Sequence, residues 1–193
     1  VFDDSELMLI ELIAAMSANY FTTSGNGGNQ IVDDQLITMA QNWQQSRRLP
    51  IKCSHAMWQV QAWHLDDTVI SRNYYDCQQT EQGLSVSLAH SQGCSLEALL
   101  SIGVVGNTLQ RMVAMTNDPA EILERTNSCI WGGIAGEQFA DALQIALDAD
   151  TGRVTYSCAG EMILLVVTPD GIEVLENISP EIGIMDYGEY ENR

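Results

Sequence analysis

Four polar side chains near the middle of the sequence have the chemistry of a catalytic or metal-binding site. They are Asn73, Asp76, His90 and Ser91, which supply an amide, a carboxylate, an imidazole and a hydroxyl. Carboxylate oxygens bind hard cations such as Mg²⁺, whereas an imidazole binds softer transition metals. A histidine beside a serine could also indicate nucleophilic catalysis. That interpretation is the weaker one, because no orienting acid has a defined place beside them.

The stretch that contains these residues predicts a β-hairpin followed by a helix. Two β-rich runs, residues 69–77 and 84–91, flank a short polar connection that contains Gly83, a pattern typical of a hairpin. After the second run a small-residue turn leads into an amphipathic pattern, which predicts a helix from about residue 95 to about residue 117. A strand that ends in such a turn places side chains at the edge of a sheet, where catalytic groups often lie.

The same stretch resembles the SpoIIE/RsbU type of metal-dependent serine/threonine phosphatase domain found in bacterial signalling. In that family Gly-Gly-Asp-aromatic-Tyr-Asp on one strand is followed by Gly-Asp-Val-Ser-Gly-Lys-Gly and a helix. This sequence has Ser-Arg-Asn-Tyr-Tyr-Asp at residues 71–76 and Ala-His-Ser-Gln-Gly-Cys-Ser at residues 89–95. Further on, Pro-Ala-Glu-Ile-Leu at 119–123 and Cys-Ala-Gly-Glu at 158–161 resemble the family's Pro-Ala-Glu and Asn-Ala-Gly-His. The resemblance covers about residues 36–190.

The resemblance implies that the metal-binding positions of the family have changed in this chain. The family has aspartates at the positions of Asn73 and His90, and a third aspartate in a Thr-Asp-Gly segment that this sequence does not reach. Two hard divalent cations need several carboxylate oxygens, which Asp76 alone does not supply. We therefore expect no intact catalytic residues and no bound metal. The candidate site residues are the degenerate metal positions Asn73, Asp76 and His90 and the neighbouring edge residues Ser91, Gly93 and Glu161.

Two alternatives retain a metal at this edge. In the first, the family's Mn²⁺ or Mg²⁺ still binds despite the replacements. In the second, the site has been repurposed, and His90, Asp76 and Glu161 converge on zinc or manganese. The second depends on the family layout for the position of Glu161.

The remaining pattern, together with the resemblance, predicts an α+β fold. Asp118 and Pro119 begin a second helix, with the aspartate as its N-cap. Alternating polarity over residues 56–66 predicts a strand, and further strands are expected at 139–148, 153–158, 162–167 and 172–175. The expected architecture is an α/β/β/α sandwich, in which two antiparallel sheets pack face to face with helices on the outside.

Two regions are expected along the chain. Residues 48–193 form the phosphatase-like domain, without the C-terminal segment of the family. Residues 1–47 form a helical linker, in which two amphipathic helices flank a Gly/Asn-rich break at residues 24–29. Amphipathic helices beside such a break often pack against a second copy, so residues 1–47 are a candidate homodimer contact.

The charge balance argues against nucleic acid as a partner. The chain has 8 Lys and Arg against 26 Asp and Glu, a formal net charge of −18, and phosphate binding needs clustered cations. Such an acidic surface either keeps the protein in solution or favours a basic protein partner. No apolar run reaches the roughly 18–20 residues of a membrane span. Five scattered cysteines without a CxxC pair are typical of free thiols, so we expect a cytoplasmic protein without a membrane segment.

Two functions of different classes follow from these observations. The first is a catalytically degenerate phosphatase domain that acts by binding, as a regulatory output module similar to that of RssB-type response regulators. The resemblance implies a sigma factor, an anti-sigma factor or its antagonist as the partner. The second is an active but divergent Mn²⁺- or Mg²⁺-dependent phosphatase that acts on phosphoserine or phosphothreonine of such an antagonist. The loss of two aspartates favours the first.

Overall fold

A computed structural model of the chain describes residues 38, 39, 42, 52–62, 71–91, 96–133, 139–175 and 179–193. The chain divides into two compact units, residues 1–49 with 64–71 and residues 50–63 with 72–193. The predicted linker belongs to the first unit, and only three of its residues are described, all of them helical. The rest of the linker, with its break and its dimer contact, lies outside the described residues and stays a prediction. All strands and helices below belong to the second unit.

The described part of this unit is an α+β structure with antiparallel sheets, as predicted. In chain order its elements are β1 Lys52–His55, β2 Trp58–Gln61, β3 Asn73–Thr80, β4 Gly83–Ser91, α1 Leu96–Val113, α2 Pro119–Gly133, β5 Ala140–Asp148, β6 Val154–Ala159, β7 Leu164–Thr168 and β8 Gly171–Leu175. Strands β3-β4-β5-β6 form one four-stranded sheet, while β1-β2 and β7-β8 form separate two-stranded hairpins. Within the described ranges, neither helix combines the length and apolar character needed to cross a membrane.

The two helices cover one face of the four-stranded sheet, which we call the helix face. The side chains that β4 and β5 present to it are small or polar, so the helices approach the sheet closely. Gln144 is fully buried there; its Oε1 accepts from Ser87 Oγ at 2.6 Å, and its Nε2 donates to Ser85 Oγ at 2.7 Å. Gly106 of α1 lies against the ring of Tyr74 and leaves no room for a Cβ. The rest of this core is made of buried apolar side chains from the helices, including Leu99, Ile102, Leu109, Ile122 and Leu123.

The opposite face of the sheet carries a second core, formed by Leu143, Tyr156 and Cys158. The β7-β8 hairpin packs on it through Leu164 and Leu175. In the described residues the predicted second sheet is therefore a layer of hairpins rather than one continuous sheet, and both helices lie on the other face.

The β1-β2 hairpin also packs against the four-stranded sheet. Trp58 Nε1 donates to the carbonyl oxygen of Asp148 at 2.7 Å, and Gln79 Nε2 lies 2.8 Å from His55 Nδ1. Burial, and secondly the neighbouring thiol of Cys53, raise the pKa of Cys77 to about 12. Both thiols are free, as the sequence predicted.

The strand predicted over residues 56–66 was wrong in its start, while residues 63–66 lie outside the described residues. Residues 56 and 57 form a tight turn, with Ala56 at a positive φ of 50°, and the strand begins at Trp58. Its partner β1 lies before the turn, where no strand was expected. Ala56, Met57 and Trp58 are three consecutive apolar residues, so the alternating pattern begins only at Trp58, where the strand begins.

The start of α2 confirms the predicted cap. Asp118 Oδ1 accepts the N–H of Glu121 at 3.0 Å, and Asn192 Nδ2 donates to both carboxylate oxygens at 2.8 and 2.9 Å. Partial burial acts to raise the pKa of Asp118, but these hydrogen bonds outweigh it and lower the pKa below the ordinary value of 3.8. A carboxylate with a lowered folded pKa stabilises the fold above its unfolded pKa, and this stabilisation is lost as the pH falls through the folded pKa.

We expect Asp118→Ala to lower the free energy of unfolding by about 1 kcal/mol at neutral pH. On acidification below about pH 4, the free energy of unfolding should fall less in the variant than in the native chain, because the variant lacks this carboxylate. Urea unfolding at neutral and acidic pH measures both effects. Asp150→Ala is the control, since it removes an exposed carboxylate that caps no helix. An equal loss in the two variants would contradict the capping role.

Candidate functional site

Strands β3, β4 and β5 bring three polar side chains into a row at one end of the sheet. The strand register pairs Asn73 with His90, and His90 with Asp141. Side chains alternate along a strand, so all three project to the face opposite the helices. Directly opposed residues have Cβ atoms about 4.5–5.5 Å apart. We call Asn73, His90 and Asp141 the edge row.

The first two members of the edge row are hydrogen-bonded to each other. His90 Nδ1 lies 2.7 Å from Asn73 Oδ1. An amide oxygen only accepts hydrogen bonds, so Nδ1 carries the hydrogen and donates it. This bond fixes the imidazole ring and uses one of the two lone pairs of the single oxygen that Asn73 could offer to a cation.

The carboxylate of Asp141 is held from the other side of the row. Asp141 is 7% exposed, and its Oδ1 accepts the backbone N–H of Glu161 at 3.0 Å. Gly160 precedes this N–H with a φ of 68°, a left-handed conformation that favours glycine. A Cβ at residue 160 would also overlap Asp141 Oδ1 and lie 2.9 Å from Cγ of Glu181. The turn after β6 is therefore shaped around the Asp141 carboxylate.

Asp76 does not join the edge row, contrary to the sequence prediction. It is 5% exposed on the helix face, where its Oδ2 accepts from Gln78 Nε2 at 2.8 Å and from the hydroxyl of Tyr74 at 3.2 Å. Residues three apart on a strand project to opposite faces, which separates Asp76 from Asn73.

The other predicted edge residues have different positions. Ser91 is buried on the helix face by the same alternation, and its N–H donates to the carbonyl oxygen of Arg72 at 3.0 Å. Gly93 lies outside the described residues. Glu161 comes close to the edge row through its backbone N–H, while its side chain is exposed. The structure thus brings together Asn73 and His90 of the predicted set and adds Asp141.

Sequence reasoning missed Asp141 as a site residue. It was placed in a predicted strand, but its neighbour His90 is distant in the sequence, and the register that joins them follows from folding. One signal was present, because the strand reads Ala-Asp-Ala-Leu-Gln-Ile-Ala-Leu and a carboxylate rarely lies in so apolar a run unless it has partners.

The repurposed metal site also fails on geometry. His90, Asp76 and Glu161 do not converge, because Asp76 projects from the other face of the sheet. In the part of the chain that the structure describes, no three His, Cys, Asp or Glu side chains come together to hold a metal ion.

A cleft of about 430 Å³ lies at the other end of the sheet. It is lined by polar residues of the α1–α2 connection and the β5–β6 turn, among them Asn117, Asp118, Asp148 and Arg153. Gln82, in the turn just before β4, also lines it, whereas His90 lies near the other end of that strand. The cleft is therefore separate from the edge row.

Comparison with known families gives one match to a family model. Residues 80–193 match the model described as stage II sporulation protein E (SpoIIE). This range covers more than half of the chain and includes every described element from β4 onward. No curated protein sequence matches the chain.

Solved structures share the fold at low sequence identity. The SiaA-PP2C domain of Pseudomonas aeruginosa matches with a TM-score of 0.53 and 20% identity, over 65% of this chain and 50% of that one. The RsbU and RsbW domains of Rv1364c from Mycobacterium tuberculosis match with a TM-score of 0.54 and 18% identity, over 67% of this chain and 37% of that one. The structure of the PP2C phosphatase domain of SpoIIE from Bacillus subtilis includes a fragment of its regulatory domain. It matches with a TM-score of 0.52 and 13% identity, over 64% of this chain and 36% of that one. This chain spans half or less of the length of each of these three, and at these identities the likeness concerns the fold.

Proposed function

Because this chain belongs to the SpoIIE family, we propose that residues 48–193 are a degenerate phosphatase domain that acts in bacterial signalling by binding a protein partner. In this proposal the domain keeps the family scaffold and has lost the phosphatase chemistry. The partner is a sigma factor, an anti-sigma factor or its antagonist, and the pathway is cytoplasmic.

The donor chemistry of the edge row carries this proposal. The family reaction uses two hard divalent cations, which supply a water nucleophile and hold a phosphoryl group when they are bound. The row offers one carboxylate, one amide oxygen already engaged by His90 Nδ1, and one imidazole. Hard cations prefer several anionic oxygens, and an imidazole prefers softer metals. The described residues of the row therefore do not fit a pair of Mn²⁺ or Mg²⁺ ions.

The charge of the chain supports a role in protein binding. A net charge of −18 steers basic partners towards the surface and disfavours nucleic acid. One of the matched solved chains carries RsbU and RsbW domains together, which places an RsbU-type domain beside another protein module in that protein. We extend a regulatory setting of this kind to the present chain as part of the proposal.

One observation favours the alternative of an active, divergent phosphatase. Asp141 adds to the edge a carboxylate that the family pattern did not predict there. If it replaces a lost ligand, a single Mn²⁺ or Mg²⁺ would still bind. The domain would then act on phosphoserine or phosphothreonine, as the alternative function requires.

A phosphatase assay with a phosphoserine peptide and manganese separates the two functions. We expect phosphate release by the native chain to equal that of a no-protein control with manganese. A SpoIIE-family domain with both metal-binding aspartates serves as the positive control. Manganese-dependent turnover that disappears in Asp141→Asn would contradict the proposed loss of activity and support the alternative.

A further inference from the structure

The β7-β8 hairpin exposes an apolar surface on the side that faces away from the sheet. The register pairs Leu165 with Val174 and Val167 with Ile172, so these four side chains share one face. Each of them is more than half exposed, and so is Ile163, which precedes β7 on the same side. We call these five residues the hairpin face.

The inner side of the same hairpin is anchored, which makes the outer side an available surface. Leu164 and Leu175 pack on the Leu143–Tyr156–Cys158 cluster, so the hairpin has a fixed attachment. An isolated two-stranded hairpin is marginally stable in water, and a contiguous exposed apolar patch is typical of an interaction site. Scattered single apolar residues would need no explanation, but here they are paired across two strands.

The charge around this surface indicates the chemistry of its partner. Between Arg153 and Arg193 the sequence has eight Asp and Glu residues and no Lys, Arg or His. Glu161 lies just before the hairpin and Asp170 lies in its turn, and both are exposed. Glu173 is also exposed but projects with Val166 from the other side of the hairpin, so it is not part of this rim. An apolar face with an acidic rim complements an apolar stripe that is flanked by basic residues.

We propose that the hairpin face docks an amphipathic helix whose apolar stripe is flanked by Lys and Arg, supplied by the partner protein. This deepens the proposed function and rests on its binding role. A helix fits better than a strand, because an added strand would pair with the backbone at an edge and leave the face uncovered. A second copy of this chain fits less well, because two surfaces of the same negative sign repel each other.

A designed peptide tests the surface directly. The probe is a fluorescent 18-residue Leu/Lys peptide with leucines at helical spacing, and its anisotropy is titrated with the full chain. Two control peptides keep the length: one replaces Lys with Glu, and the other rearranges Leu and Lys to alternate. We expect binding of the helical Leu/Lys peptide that weakens with salt, and at least about tenfold weaker binding of each control peptide.

Variants of the chain locate the contact. Val167→Asp with Ile172→Asp changes two side chains that are 72% and 69% exposed, and should weaken binding roughly tenfold or more. Met115→Asp is the matched control, because Met115 is 70% exposed in the α1–α2 connection, and it should bind like the native chain. The milder pair Val167→Ser with Ile172→Ser should also bind less tightly, and thermal melting checks that each variant is folded.

Two results would overturn the docking surface. The first is equal binding of the peptide by the native chain and both hairpin variants. The second is a dimer in light scattering that only the hairpin variants abolish, which would assign the face to a second copy. The phosphatase assay is independent of both. If the chain shows neither turnover nor peptide binding, the proposed loss of activity stands and the docking surface is contradicted. If the chain shows both turnover and peptide binding, the loss of activity is contradicted and the docking surface stands.

Discussion

Replacing both Asn73 and His90 with aspartate is expected to create a divalent-cation site at the edge row. The register would then align three carboxylates, at residues 73, 90 and 141, with neighbouring Cβ atoms about 4.5–5.5 Å apart. Without a cation these carboxylates repel one another, so the double variant should melt below the native chain. Manganese removes that repulsion and gains anionic oxygen ligands, so it should bind at least about tenfold more tightly than to the native chain.

The expected effect on stability is large enough to measure by thermal melting. A cation at about 100 times its dissociation constant stabilises the folded state by about 2.7 kcal/mol. For a chain of this size that corresponds to a rise of roughly 5–10 °C in melting temperature. The native chain should show little or no rise at the same manganese concentration.

Two controls assign the effect to the edge row. Gln110→Asp with Ser128→Asp adds the same charge at exposed helix positions, and should show no comparable rise with manganese. Asp141→Ala in the double aspartate variant should remove most of the rise, because it deletes the third carboxylate. A rise of equal size in the native chain would contradict the proposed loss of the metal site. Equal rises in the double variant and the helix control would show nonspecific cation binding.

The sequence predicted which strands carry the site, but not the full set of residues that meet there. Asn73 and His90 were predicted together because both lie at family motif positions, and the β3-β4 register places them opposite each other. Asp141 could not be placed beside them, because its position depends on how β5 pairs with β4. That pairing is fixed by the folded sheet rather than by any local pattern.

The error about Asp76 has a simpler cause. It lies three residues after Asn73 in one strand, and the two-residue period of a strand already separates their side chains. The family motif suggested a shared site, whereas the geometry buries Asp76 with Tyr74 and Gln78 on the helix face. Its environment indicates a structural role in the helix–sheet core.

Fold elements with strong local signals were predicted well. The start of α2 at Pro119 follows from the Asp118 cap, and the β3-β4 hairpin follows from the turn residues that precede Gly83. The sequence could not predict that the second layer consists of separate hairpins, because whether two short hairpins join into one sheet depends on long-range pairing. The turn at Ala56 was missed because the alternating pattern that begins at Trp58 was extended back to it, although Ala56, Met57 and Trp58 are all apolar.

Gly83→Ala is expected to be among the most destabilising single substitutions in the four-stranded sheet. Gly83 has a φ of 148°, outside the range that side chains favour, which strains an alanine by about 1–3 kcal/mol. Its added Cβ would also overlap the carbonyl oxygen of Leu147 and lie 2.9 Å from the backbone nitrogen of Ala149. These are backbone atoms of β5 and its turn, so they cannot rotate away. We expect a loss of about 3 kcal/mol or more in the free energy of unfolding, measured by urea titration.

Gly171→Ala separates the steric effect from the backbone strain. Gly171 begins β8 after a two-residue turn, as Gly83 begins β4, and its φ is 152°. A Cβ at Gly171 would meet no atom within 4 Å, so its alanine variant should lose only the roughly 1–3 kcal/mol of strain. The additional loss at Gly83 then measures how firmly β4 is held against β5, the same strand pair that sets His90 opposite Asp141. Equal losses would show that β5 moves aside easily, and the spacing of the edge row would then not be fixed by this close contact.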